Sequence, residues 1–177
     1  MIRAITEMIK VQELELERIM DFWGTKAVDH KNGGFFGSID SFGKINPKAN
    51  KGAILNCRIL WSFSAAYNYS KNAEYLKLAE RAFNYVANFF IDKRNGGVFW
   101  ELDYLGKPIN TRKQAYALGF AIYGLSEYYR ASGNEKALLL AQEMFWTIEK
   151  NFFDPQYGGY IEALSENWNH LDDMRLS

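Results

Sequence analysis

The amino-acid sequence predicts an all-α repeat fold, either an α/α toroid or a superhelical α-solenoid, and three observations carry that expectation. The first is a motif used three times: Asp29-x-x-x-Gly33-Gly34, Asp92-x-x-x-Gly96-Gly97 and Asp154-x-x-x-Gly158-Gly159. Gly33 and Gly96 are 63 residues apart and Gly96 and Gly158 are 62 apart, a period at which each unit leaves an apolar face for its neighbour to cover. The second is a one-faced helical pattern that recurs at the same period. The third is a pair of intervening helices that are apolar or small on nearly every side.

Taken in chain order, the first one-faced pattern places Leu16, Ile19, Met20 and Trp23 on one helical stripe. Adding 63 gives the second, in Ala73–Phe90, where Tyr75, Leu76, Ala79, Ala82, Phe83, Val86 and Phe90 oppose Lys77, Glu80, Arg81, Asn84 and Asn88. A further 62 gives Ala137, Leu138, Ala141, Met144, Phe145 and Ile148. Between them, Ala53–Tyr69 and Ala115–Arg130 show no wet face, so the expectation is that they are covered all round as an inner layer. The Gly-Gly elements read as hairpins, with Asp40-x-x-Gly43 and Asp103-x-x-Gly106 as turns between apolar strand residues. Gly133-Asn134 marks a helix end, and Pro108 and Pro155 sit beside turns.

The chain of 177 residues, 48% apolar and 16% aromatic, is long enough for one domain, expected over 1–177 in units of about 62 residues. Lysine plus arginine equals aspartate plus glutamate at 21 each, which gives no footprint for nucleic acid or an anionic membrane. No apolar run reaches the roughly 20 residues of a spanning helix. Cys57 is the single cysteine, so no internal disulfide forms, and the default expectation is a cytoplasmic protein.

Arg58 is the most informative charge, because it falls in the middle of a helix expected to be buried on all sides. Such a guanidinium must meet an acid in an inter-repeat salt bridge or line a cavity, and the residue pattern leaves both open. Tyr116 and Phe120 fall on the same stripe of the next inner helix: by the 62-residue offset they correspond to positions 54 and 58. A cation, a phenol and ring faces suit a small-molecule sugar, although plain core is the better reading for Phe120. Trp100 and Glu101 in the second hairpin, and Glu162 and Trp168 in the third, are placed to reach a central cleft or merely to pin their hairpins. His30 reads as an exposed imidazole, His170 has no assignable place, and no metal-ligand cluster, phosphate loop or nucleophile–base pattern is present.

The segments Lys51-Gly52-Ala53-Ile54-Leu55-Asn56-x-Arg58-Ile59-Leu60-Trp61, Ala121–Ala131 and Gly158-Gly159-Tyr160-Ile161-Glu162-Ala163 resemble the cellobiose 2-epimerase branch of the N-acylglucosamine 2-epimerase family. The resemblance implies an (α/α)6 barrel, of which this chain would hold a partial, incomplete toroid. It implies a sugar isomerase that needs no organic cofactor or metal, in which a histidine takes the C2 proton of the ring-opened sugar and a second serves the opposite face. Arg58 matches the family arginine that steadies the enediolate, and Tyr116 matches a tyrosine that contacts substrate. Neither His30 nor His170 matches a catalytic histidine. The expectation is therefore an N-terminal fragment, inactive alone, with self-association through uncovered apolar faces. Three other readings stay in view: a glycosidase or lyase using Glu101 and Glu162 as paired acids, a non-catalytic helical-repeat module that binds carbohydrate or protein, and, within the same resemblance, an N-acylglucosamine 2-epimerase or mannose isomerase.

Overall fold

The computed structural model describes residues 2–171, with side chains from residue 4. In chain order the elements are α1 (Ile2–Thr25), β1 (Lys51–Gly52), α2 (Ala53–Ser70), α3 (Ala73–Tyr85), a π-helical turn (Val86–Phe90), β2 (Glu101–Leu102), β3 (Pro108–Asn110), β4 (Lys113–Gln114), α4 (Ala115–Ser132), α5 (Glu135–Asn151) and β5 (Ala163–Leu164). The architecture is a partial α/α barrel in which α2 and α4 lie side by side, with α3 packed on α2 and α5 on α4. Their close approach depends on Gly124, where a Cβ would stand 2.6 Å from the Cys57 carbonyl oxygen.

Equivalent positions end and restart the helices in the same way. α2 stops at Lys71 and α4 at Gly133, both left-handed, with φ of 58° and 69°. One residue later Asn72 and Asn134 cap the next helix, their side-chain oxygens accepting from Glu74 N at 3.0 Å and Ala137 N at 3.2 Å. The second one-faced helix does not run unbroken to Phe90 as expected. Its last turn widens so that Ile91 N reaches the Val86 carbonyl at 3.2 Å, which turns both Phe90 and Ile91 into the core.

The hairpin turns form as read: Asp40 Oδ1 accepts from Phe42 N and Lys44 N, and Asp103 Oδ1 from Leu105 N and Lys107 N, each at 2.9 Å. The strands are shorter than expected and do more than close their own hairpins. The order β1-β2-β3 is antiparallel, and β4 pairs with β5, so the strand before each inner helix joins the hairpin of the following unit.

Two buried ion pairs lock these junctions. Lys51 Nζ lies 2.9 Å from Asp29 Oδ2 and donates to the Gly33 carbonyl at 2.7 Å, while Lys113 Nζ lies 2.6 Å from Asp92 Oδ2. Burial alone would raise both carboxyls; the lysine and the amides of residues 31–32 and 94–95 outweigh it and hold Asp29 and Asp92 below the usual carboxylate range. Burial pulls the Lys113 ammonium down against Asp92, but a 2.6 Å contact makes the charged pair the state at neutral pH.

The core runs through Phe35, Leu60, Phe63, Phe90, Leu118, Leu125, Met144 and Phe152, all essentially inaccessible, and each large side chain there contributes about 2–3 kcal/mol of apolar burial. Phe83 stacks on Tyr128 at 4.7 Å and ties α3 to α4. Two expected core positions differ: Ile19 is 42% exposed and Phe145 46% exposed, because among the described residues α1 and α5 are flanked on one side only. The inner helices are also not covered all round. One stripe of each is open to a concave face, where Tyr116 and Tyr123 are exposed.

Candidate active site

That concave face holds a cavity of about 1160 Å³, and the stripe that opens onto it is the one the repeat offset aligned. From α2 come Arg58, Trp61 and Ser62; from α4 come Tyr116, Gly119, Phe120 and Tyr123. Helical spacing explains the sets, since positions three or four apart share a face. The rings form a continuous wall. Trp61 stacks on Tyr123 at 4.7 Å and 11°, Tyr123 meets Phe120 edge-on at 6.1 Å, and Phe120 meets Tyr116 edge-on at 4.9 Å.

Arg58 lines the cavity rather than a salt bridge. Its guanidinium carbon is 5.9 Å from the centroid of Phe120, and it makes no ion pair among the described residues. The side chain is exposed, which removes the desolvation cost that a covered helix would have imposed. Its charge still reaches the wall: desolvation and the Glu127 carboxylate raise the Tyr123 phenol, and Arg58 opposes both. Phe120, expected as plain core, is half-buried and part of the lining, because its stripe faces the open side of α4.

The hairpins contribute one equivalent residue each. Trp100 and Glu162 are 62 positions apart, and their carbonyls accept from Ala53 N and Ala115 N, the first residues of the two inner helices, at 3.0 Å. Both side chains line the cavity. Glu101 and Trp168 do not. Glu101 sits in β2, and the Trp168 indole donates to the Asn95 carbonyl at 2.8 Å while its ring covers Gly97, where a Cβ would stand 2.8 Å away. The geometry does not bring Glu101 and Glu162 together as a pair: among the described residues Glu162 is the one carboxylate in the lining.

His30 and His170 are exposed and outside the cavity lining. Cys57 is buried, and desolvation pushes its thiol up to about 12, so it stays protonated and inert at neutral pH. Among the described residues no group of three or more His, Cys, Asp or Glu could hold a metal ion, and no helix is long and apolar enough to cross a membrane. Sequence reading missed Arg112 and Gln114 at the rim and the two buried lysines. The lysines had a signal, because Lys51 and Lys113 follow the same period as Asp29 and Asp92.

A cation lining the same cavity as a phenol and a wall of ring faces can stabilise an oxyanion and stack the C–H faces of a sugar. Residues 34–176 match the family N-acylglucosamine 2-epimerase (GlcNAc 2-epimerase). A cellobiose 2-epimerase of Bacteroides fragilis is 49% identical over 174 residues, which cover 97% of this chain and 44% of that protein. One from Ruminococcus albus is 45% identical, with 94% of this chain and 42% of that protein covered. The solved cellobiose 2-epimerase of Bacillus thermoamylovorans superposes with a TM-score of 0.87 at 35% identity, over 93% of this chain and 43% of that one. The chain thus spans less than half the length of these relatives. With most of its residues inside the family match and its neighbours sharing this half-barrel, the chain belongs to the N-acylglucosamine 2-epimerase family.

Proposed function

We propose that these residues form part of the active site of a sugar 2-epimerase that converts the reducing-end glucose of cellobiose, or of a related β-1,4 disaccharide, to mannose. The observation that carries the reading is Arg58, a guanidinium with no acid partner among the described residues, lying over Phe120 on the concave wall. In the ring-opened sugar the C2 hydrogen lies α to the C1 aldehyde. Its removal sends the electron pair into the C1–C2 bond and leaves negative charge on the carbonyl oxygen. Arg58 donates to that oxygen in the enediolate, and return of a proton to the other face of C2 gives the epimer. Tyr116 donates or accepts at a substrate hydroxyl, and the ring wall offers its faces to the C–H faces of the sugar.

The proton-transferring histidines are assigned to the part of the relatives' length that this chain does not span. The reaction so written needs no cofactor, because the proton and electron pair return to the same carbon. A single protonated, unpaired cysteine fits a reducing cytoplasm.

The test is a chimera in which this chain replaces the matching 174 residues of the Bacteroides fragilis enzyme. It is expected to convert cellobiose to glucosylmannose, whereas the chain alone is expected to give none. A helical, soluble chimera with no epimerisation overturns the proposal.

A further inference from the structure

Arg112 lies at the rim of the same cavity, between the end of β3 and the start of β4. Its backbone is fixed on both sides: the preceding strand is held by Trp100 N donating to the Asn110 carbonyl at 3.0 Å, and the next residue is the ion-paired Lys113. Its side chain is fixed as well. In the amide orientation that satisfies both groups, the side-chain oxygen of the buried Gln114 accepts from Arg112 Nε and Nη2, each at 3.0 Å. The guanidinium carbon stands 5.0 Å from the Trp100 ring centroid. A guanidinium has five N–H donors, of which Gln114 takes two. Among the described residues no carboxylate pairs with the rest.

The repeat scaffold does not require this arrangement. Sixty-three residues before Trp100 stands Gly37, and 62 before Arg112 stands Asn50. In that unit the junction is closed by bare backbone, since a Cβ on Gly37 would fall 1.8 Å from the Asn50 carbonyl oxygen. The cation and ring of the second unit are therefore an addition to the fold, immobilised before any ligand arrives.

Arg58 lies over Phe120, whereas α4 begins five residues nearer the rim, a rise of about 7 Å, and Arg112 precedes that point. The two arginines thus enter the cavity at different levels, one over Phe120 and the other over Trp100 ahead of the first turn of α4. We propose that Arg112, held by Gln114 and Trp100, is a specificity-determining residue that binds hydroxyls of the second, non-reducing sugar of a disaccharide. The inference rests on the sugar-epimerase reading and adds to it the residue that separates disaccharide from monosaccharide.

The test titrates the intact chain with cellobiose and with glucose, following the indole resonances of Trp100 and Trp61. Cellobiose is expected to shift both, and glucose to shift Trp61 alone. Arg112→Ala is expected to weaken cellobiose binding at least tenfold while glucose binding stays within twofold, and Arg112→Lys, which keeps the charge without the planar fork, to recover less than half of that loss. Gln114→Ala, which frees the guanidinium without removing it, is expected to give an intermediate loss. If Arg112→Ala keeps the helical circular dichroism and binds cellobiose as wild type does, the inference fails while the epimerase reading, judged by turnover of the chimera, stands. Equal shifts from the two sugars, or no cellobiose binding to the wild-type chain, also overturn it. A chimera without turnover removes the reading itself.

Discussion

Lys51 Nζ sits 2.9 Å from Asp29 Oδ2 with both side chains only 1% exposed, and the same relationship returns one unit later in Lys113 and Asp92. Each pair fastens a Gly-Gly loop to the strand that leads into an inner helix. The cavity wall is thus positioned by ion pairs whose own side chains lie outside the lining.

Removing one partner leaves an uncompensated buried charge. Asp29→Ala and Asp92→Ala are each expected to cost about 3–5 kcal/mol, read as a fall in the urea midpoint. The double change Lys113→Met with Asp92→Leu is expected to recover most of the loss, and equal losses in the single and double variants would contradict the assignment.

Acid should unfold the chain through the same two carboxyls. Their folded pKa values lie below the unfolded value of about 3.9, so the folded state binds fewer protons, and the stability they supply is fully present above that pH. It is lost as pH falls through the folded values. Urea midpoints measured downward from pH 5 are expected to drop below about pH 4, and the drop should shrink in the Lys113→Met, Asp92→Leu variant.

Gly124 sets the spacing of the two inner helices. Gly124→Ala places a methyl 2.6 Å from the Cys57 carbonyl oxygen, a backbone atom that cannot swing away, and the expected cost is about 2–3 kcal/mol. Gly119→Ala on the same helix meets nothing within 4 Å and serves as the control, expected to be neutral or slightly stabilising in thermal denaturation.

In the chimera, Arg58→Ala is expected to lower kcat about 100-fold or more, the usual loss for one oxyanion donor. Tyr116→Phe should act mainly on KM. Both side chains are exposed, so neither change should move the melting temperature by more than a degree or two; a large shift would assign them a structural role.

Uncovered apolar surface on the flanking helices predicts association of the isolated chain. Met8, Val11 and Leu14 of α1 and Leu139 and Trp146 of α5 are each at least 60% exposed. Light scattering is expected to give a mass that rises with concentration, and Trp146→Glu to reduce it; a monodisperse monomer would contradict this.

Much of the architecture was written in the period. The repeat offset identified equivalent helices and the stripe carrying Arg58 and Tyr116, and turn chemistry identified the Asp-x-x-Gly turns and the helix end at Gly133-Asn134, because each depends on local backbone chemistry or on residues three and four apart. What periodicity cannot say is which side of an apolar helix meets solvent, and tertiary packing decided that. An inner helix and a core helix have the same composition, so Phe120 and Tyr123 became cavity wall only once curvature left one stripe of α4 open. Tertiary structure also decided which polar groups meet across 20 or more residues: Lys51 with Asp29, Lys113 with Asp92, and Trp168 with Asn95. Such pairs are fixed by the direction in which strands cross between units, and no local pattern along the chain records that direction.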